Sequence, residues 1–291
     1  MARLQVLLAA LCFGTTGTAQ ALGPDGIDPA AVGAARIACG GALLVRRGGG
    51  PRWAVGPVLA GAAGVAAYQA SFFAAVDDTG VAVGTIVALG SAPAITGALE
   101  WLVHGRRPPG RWVAATALAG AGVALLALGG SSGAGISPLG VGLAVLAGSS
   151  YATYTLASKR LLEDGHAPEG VMAALFGLGA VLIAPVLIVS GPGWLATGGG
   201  LALVLFLGVV PTAVAYVLFA RGLRGLQASE AATITLAEPV TAAALGVFVL
   251  GEAITEAGAL GAALVLSGLV LLALRPGGVR SRPPAVVAEP A

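Results

Sequence analysis

Apolar residues run along this chain in ten blocks, separated by short clusters of Gly, Pro and charged residues. The blocks fall at about 4–22, 31–45, 53–76, 81–103, 112–128, 137–158, 171–189, 200–220, 226–250 and 257–274. A helix crosses a ~30 Å hydrocarbon core with roughly 20 residues, and most of the blocks approach that length. Those at 31–45 and 112–128 fall short, which predicts local thinning or tight packing there. Open strand edges find no partner in lipid. The pattern therefore predicts an all-α integral membrane protein with ten transmembrane helices.

Charge fixes how those helices thread. Of the 15 Lys and Arg residues, all but Arg36 fall in alternate gaps, at Arg3, Arg46, Arg47, Arg52, Arg106, Arg107, Arg111, Lys159, Arg160, Arg221, Arg224, Arg275, Arg280 and Arg282. The intervening gaps hold Asp25, Asp28, Asp77, Asp78, Glu252 and Glu256 instead. The side rich in Lys and Arg stays cytoplasmic, so both termini are expected inside. Trp53, Trp101, Trp112 and Trp194 fall at predicted interfaces, as membrane anchors do. The first block could pass for a signal peptide, but removing it would leave nine crossings at odds with the charge pattern. A multi-pass protein of a bacterial inner membrane is the expectation.

Composition agrees. Over 291 residues the chain is 57% hydrophobic and 10% charged, with mean hydropathy +0.94, against about 25% charged in an ordinary soluble domain. A net charge of +2, dispersed at helix ends, excludes a nucleic-acid surface. Cys12 and Cys39 lie inside apolar blocks and suggest no disulfide. The 47 glycines mark faces where helices approach closely in lipid; Gly120, Gly122, Gly177 and Gly179 read that way. Past Arg275 the tail, 276–291, is Pro-rich and expected to be disordered.

The sequence repeats itself at an offset of 146. Leu118–Leu128 (LAGAGVALLAL) lies over Leu264–Leu274 (LVLSGLVLLAL), and the same shift pairs Pro93 with Pro239 and Gly105 with Gly251. At 148, Tyr68 pairs with Tyr216. Two halves, 1–130 and 137–275, thus hold five helices each. Five is odd, so the halves enter the membrane from opposite sides, the inverted-repeat architecture of many secondary transporters.

These features carry a resemblance. Phe13-Gly14-Thr15-Thr16-Gly17, Ala35-Arg36, Tyr151–Arg160 (YATYTLASKR), Leu236-Ala237-Glu238-Pro239-Val240 and Leu250-Gly251-Glu252 resemble the ten-helix EamA-type members of the drug/metabolite transporter superfamily. The resemblance spans nearly the whole chain. It implies two five-helix bundles around a central cavity and export of amino acids or other small metabolites. The first half has Ser91-Ala92-Pro93 and Gly105-Arg106 where the second has Ala237-Glu238-Pro239 and Gly251-Glu252, so the acidic residues are not repeated.

Candidate chemistry centres on Glu238. It lies about twelve residues from either end of its block, roughly 18 Å along a helix. A carboxylate at that depth costs on the order of 2.5–3.5 kcal/mol, so it needs a wet cavity, a partner or a proton. It is a candidate proton-carrying site or dock for a substrate ammonium; alternatively it stabilises the helix break at Pro239. Thr235 and Thr241 share its face. Pro93 and Pro239 are candidate hinges. Arg36 is the one basic residue inside a block; it could attract an anionic group, pair with Asp28, or snorkel to the surface.

Glu100 and Glu230 read as solvated neighbours of Arg106 and of Arg221 and Arg224. Cavity-lining candidates are Thr15, Thr16 and Gln20 on the first helix, Tyr68 and Gln69 on the third, Tyr151 and Tyr154 on the sixth, Tyr216 on the eighth and Thr235 on the ninth. No metal-ligand cluster, P-loop or Ser/His/Asp pattern is readable, so no cofactor, metal or enzymatic activity is expected. The partners expected are a small-molecule substrate, the bilayer and, if Glu238 titrates, protons; a monomer suffices. Two alternatives stay open: an integral-membrane enzyme on lipid-linked substrates, and a non-transporting partner subunit.

Overall fold

A computed structural model describes residues 1–46, 54–105, 107–129 and 137–274. Trp53 and the tail 276–291 lie outside the described residues. Ten helices follow one another: α1 Ala2–Ala21, α2 Pro29–Val45, α3 Val55–Gly80, α4 Val83–Val103, α5 Gly110–Leu128, α6 Pro138–Glu163, α7 Pro168–Val189, α8 Gly198–Leu223, α9 Ala228–Leu250 and α10 Glu256–Ala273. All but α2 are long and apolar enough to cross a membrane. The α2 helix has 17 residues, roughly 26 Å at 1.5 Å per residue. α5 starts two residues earlier than its sequence block and is not short. Leucines such as Leu4, Leu8 and Leu11 lie exposed on the flank, as lipid-facing side chains do.

The starts of the helices differ by face. Four that begin after the gaps without Lys or Arg carry their own caps. Asp28 accepts from Ala30 N, Ser137 from Gly140 N, Thr197 from Gly200 N and Thr255 from Gly258 N, each satisfying a donor that the helix leaves open. At the basic face, Ala54, Ala167 and Gln227 precede α3, α7 and α9 with no such bond. The ends of α4 and α9 match instead: Gly105 (φ 67°) and Gly251 (φ 71°) both close their helix in the left-handed region, a conformation that favours glycine.

Packing follows the repeat. α1 packs on α8 and α9, as α6 packs on α3 and α4, and α2 meets α7 while α5 meets α10. Exchanging helix n for n+5 maps this set onto itself. The α5–α10 seam shows it residue by residue. A Cβ on Gly122 would lie 2.5 Å from Gly261 O, and one on Gly268, its repeat mate, 2.6 Å from Ala115 O. Gly261 is the mate of Ala115, so the contact is isologous, and glycine lets the two backbones touch as lipid-embedded helices must to gain van der Waals contact. Gly179 packs likewise against Val65, whereas Gly120 faces open space and plays no such part.

Candidate functional site

Pro239 shapes the site. It has no N–H to return to the carbonyl of Thr235, and that carbonyl instead accepts from Glu238 N at 2.9 Å, while Leu236 N donates to Thr233 O at 3.1 Å. α9 therefore breaks at Thr235–Leu236 into Ala228–Ile234 and Ala237–Leu250, as a proline inside a helix dictates. The chain around Pro93 stays helical, with Gly80 the one non-helical residue between Val55 and His104. The repeat-related prolines thus sit in unlike surroundings, one beside a break and one in an unbroken helix.

Glu238 lies in the first turn of the second piece of α9 and lines a cavity between the halves, with Phe13, Arg36, Tyr68, Leu89, Ala92, Tyr151, Tyr154, Tyr216, Ala232, Thr235 and Leu236. The space open to the centre of a water molecule is about 30 Å³, room for roughly two waters. The aromatic rings form a continuous wall: Tyr68–Tyr151 at 6.3 Å, Tyr151–Tyr154 at 5.0 Å, Tyr154–Tyr216 at 6.1 Å and Tyr216–Phe13 at 4.8 Å between centroids. Phe176 backs Tyr216 at 4.1 Å. The Thr235 hydroxyl donates to Ala232 O at 2.8 Å, so its contact with Tyr151 at 3.0 Å has the tyrosine as donor.

Arg36 reaches this cavity because α2 lies close on its neighbours. Gly33 touches the Phe73 ring and Gln69, and Gly40 touches Thr212 in a π-helical turn, Val209–Val214. Arg36 Nε is buried without a hydrogen-bond partner, as is the Tyr154 hydroxyl. The ion pairs among the described residues are Arg3–Glu230, Lys159–Glu163, Arg160–Asp164 and Arg221–Glu169. Arg36 and Glu238 thus line one cavity without pairing, and Asp28 caps α2 rather than holding Arg36.

Of the candidates read from sequence, Arg36, Tyr68, Tyr151, Tyr154, Tyr216, Thr235 and Glu238 come together here. Four others do not. Thr15 lies in a separate apolar groove between α1, α8 and α9 with Thr18, Leu22, Phe206 and Leu245, its hydroxyl bonded to Cys12 O. Thr16 and Gln20 line neither space. Gln69 is buried but packs against Gly33. Thr241 bonds back to Ala237 O. Phe13, Leu89, Ala92, Ala232 and Leu236 were missed, since apolar and small lining residues leave no polar signal; only Phe13, an aromatic among Gly and Thr, offered one. Among the described residues no group of three or more His, Cys, Asp or Glu could hold a metal.

Comparison with known proteins gives the context. The EamA-like transporter family matches residues 1–128 and 138–274, nearly the whole chain in two stretches. The chain belongs to the EamA-like transporter family. An uncharacterized transporter of Bacillus subtilis, YwfM, is 43% identical over 279 residues, covering 94% of each chain. An uncharacterized transporter of Archaeoglobus fulgidus is 32% identical over 134 residues, 45% of this chain and 47% of that one. A solved crystal structure aligns with TM-score 0.79 at 24% identity over 93% of this chain and 95% of its own, a likeness of fold. This is a multi-pass membrane transporter by family.

In this EamA-family chain the two halves are stitched together at the basic face. Glu100 of α4 accepts from Ala228 N at 2.9 Å, Ser229 N at 3.1 Å and Ser229 Oγ at 2.5 Å. It thereby caps the uncapped start of α9 from the other half. Trp112 Nε1 donates to Ser229 O at 3.1 Å. Thr233 already donates to Ser229 O, so Thr116 donates to Thr233 at 2.8 Å. Arg3 reaches Glu230 at 2.6 Å and Ala273 O at 3.0 Å. These contacts correct three expectations: Glu100 caps α9 rather than standing in solvent, Glu230 pairs with Arg3 rather than with Arg221 or Arg224, and Trp112 is buried rather than anchored at the interface; Arg106 lies outside the described residues. Among the described residues, every hydrogen bond or ion pair found between the halves lies at this face.

Proposed function

We propose that the chain is a secondary transporter of small metabolites, amino acids among them, working in the export direction by alternating access. Its basic face, with both termini, lies in the cytoplasm of a cell with this protein in its inner membrane, following the bias of Lys and Arg. The two halves rock about the seams on their shared axis. Pro239 and Pro93 are the bending points, and the substrate binds at the Arg36–Glu238 cavity. The single observation behind this reading is a polar cavity between two halves whose packing maps onto itself on exchange of helix n for n+5, the place where transporters built from inverted repeats put their sites. The fragment Ala228–Ile234 forms the cytoplasmic gate, held by Glu100, Trp112, Thr116 and Arg3. A partner chain is not needed for this cycle.

Glu238 is also the group at which a proton exchanges for the substrate. It faces Arg36 from α2, Tyr68 from α3, Tyr151 and Tyr154 from α6 and Tyr216 from α8, so its charge is the one negative charge lining the cavity. The test is flux of a solute panel into proteoliposomes holding the purified protein, with and without a pH gradient. Saturable flux that needs the protein supports the reading. A preparation that stays folded yet moves no amino acid, amine, organic acid, sugar or nucleoside removes it.

A further inference from the structure

We propose that Arg36 and Glu238 act as a two-point reader of zwitterions, Arg36 taking the anionic group of the solute and Glu238 its ammonium group. The inference rests on the transporter reading above and names what the same cavity selects.

Three observations carry it. Opposite charges from different halves line one cavity, yet they form no ion pair, although four other pairs close among the described residues. A pair kept for stability would be brought into contact, because separated, half-buried charges each lose part of their hydration without recovering it from the other. Second, Arg36 Nε is buried with no acceptor, although a buried donor without a partner is among the costlier defects a fold can carry. The nearest acid along the chain, Asp28, accepts from the Ala30 amide at the start of α2 and forms no ion pair with Arg36. The missing acceptor is therefore supplied from outside the protein, and guanidinium geometry suits a carboxylate. Third, the wall beside Glu238 is tyrosine on three helices, whose ring faces favour an ammonium group.

Charge decides among solutes. An amine without an acid meets the repulsion of Arg36, and an acid without an amine meets that of Glu238. A sugar or nucleoside leaves both charges unpaired. A zwitterion satisfies both at once. The cavity, with room for roughly two waters, fits the charged head of such a solute. Leu89, Ala92 and Ala232 border the remaining wall.

The test uses the full chain in proteoliposomes and measures counterflow of leucine and phenylalanine. Each is compared with its decarboxylated amine (isopentylamine, phenethylamine) and its deaminated acid (4-methylpentanoate, 3-phenylpropanoate), with glucose and uridine alongside. The amino acids should exchange at least ten-fold faster than either singly charged analogue. Arg36→Gln should erase the preference over the amine, Glu238→Gln the preference over the acid, and Arg36→Lys should keep much of the first. Either analogue matching its parent amino acid on the unaltered protein overturns the inference, whatever the variants do. So does flux of glucose or uridine without flux of amino acids, which leaves the transporter reading standing. No flux of any compound fells the transporter reading, and this inference with it.

Discussion

Glu238 and Gly14 show how single residues set the behaviour of the site. Glu238→Gln keeps the shape of the side chain and removes its charge, so flux that a pH gradient accelerates in the parent should lose that acceleration. A variant with the parent's gradient dependence would take the proton out of the mechanism. Gly14 lies where α1 crosses the broken helix. A Cβ there would be 2.5 Å from Thr241 Cβ and 2.8 Å from Glu238 O. Gly14→Val therefore wedges the helices apart beside the cavity, at about 1–3 kcal/mol for an overpacked contact; thermal unfolding in detergent should fall accordingly. At this scale the sequence was legible where depth alone decides. Glu238 and Arg36 stood out because charge inside an apolar block needs an explanation, and Tyr68 and Tyr216 because they are repeat mates. Thr15 and Gln69 misled because a residue's direction around its helix depends on neighbours remote in sequence. Thr15 continues the exposed stripe of Leu4, Leu8 and Leu11, and Gln69 turns toward α2.

Among elements, the short first piece of α9 has its start capped from the other half. Replacing Glu100 with Ala strips the three hydrogen bonds that cap it, each with a charged acceptor and worth about 1.5–3 kcal/mol when buried. Maleimide labelling of Ser229→Cys by a reagent that cannot cross the membrane should rise when Glu100→Ala is added; unchanged labelling would show that the gate is held by other contacts. Gly105→Ala and Gly251→Ala should each lower the stability by about 1 kcal/mol or more, the cost of a side chain in the left-handed region, read from unfolding in mixed detergent micelles. Their matched effect would mark them as one feature used twice. The ten spans were legible within a few residues because lipid forces each block to satisfy its own backbone. The break at Thr235–Leu236 was half-legible from Pro239. It could not be told from the unbroken helix at Pro93, since the outcome depends on what holds the freed carbonyl. The cap from Glu100 was hidden altogether, because it joins residues 128 positions apart.

For the molecule as a whole, reporter tags placed between α2 and α3 and between α7 and α8 should appear on opposite faces of the membrane. Tags on one face would end the inverted reading and the gating scheme with it. The exchange of helix n for n+5 also says what a switch between states must change. Seams on the axis, α2 with α7 and α5 with α10, map onto themselves and survive unaltered. Off-axis pairs must trade partners. In a mirror-image state the role of Glu100 falls to its mate, residue 246, which is glycine, and the helix start it would cap is that of α4. Closure of the acidic side therefore lacks the carboxylate clasp that closes the basic side. In the proposed cycle the resting equilibrium of the empty carrier is therefore expected to be lopsided, with a bound solute supplying the difference before the far door shuts.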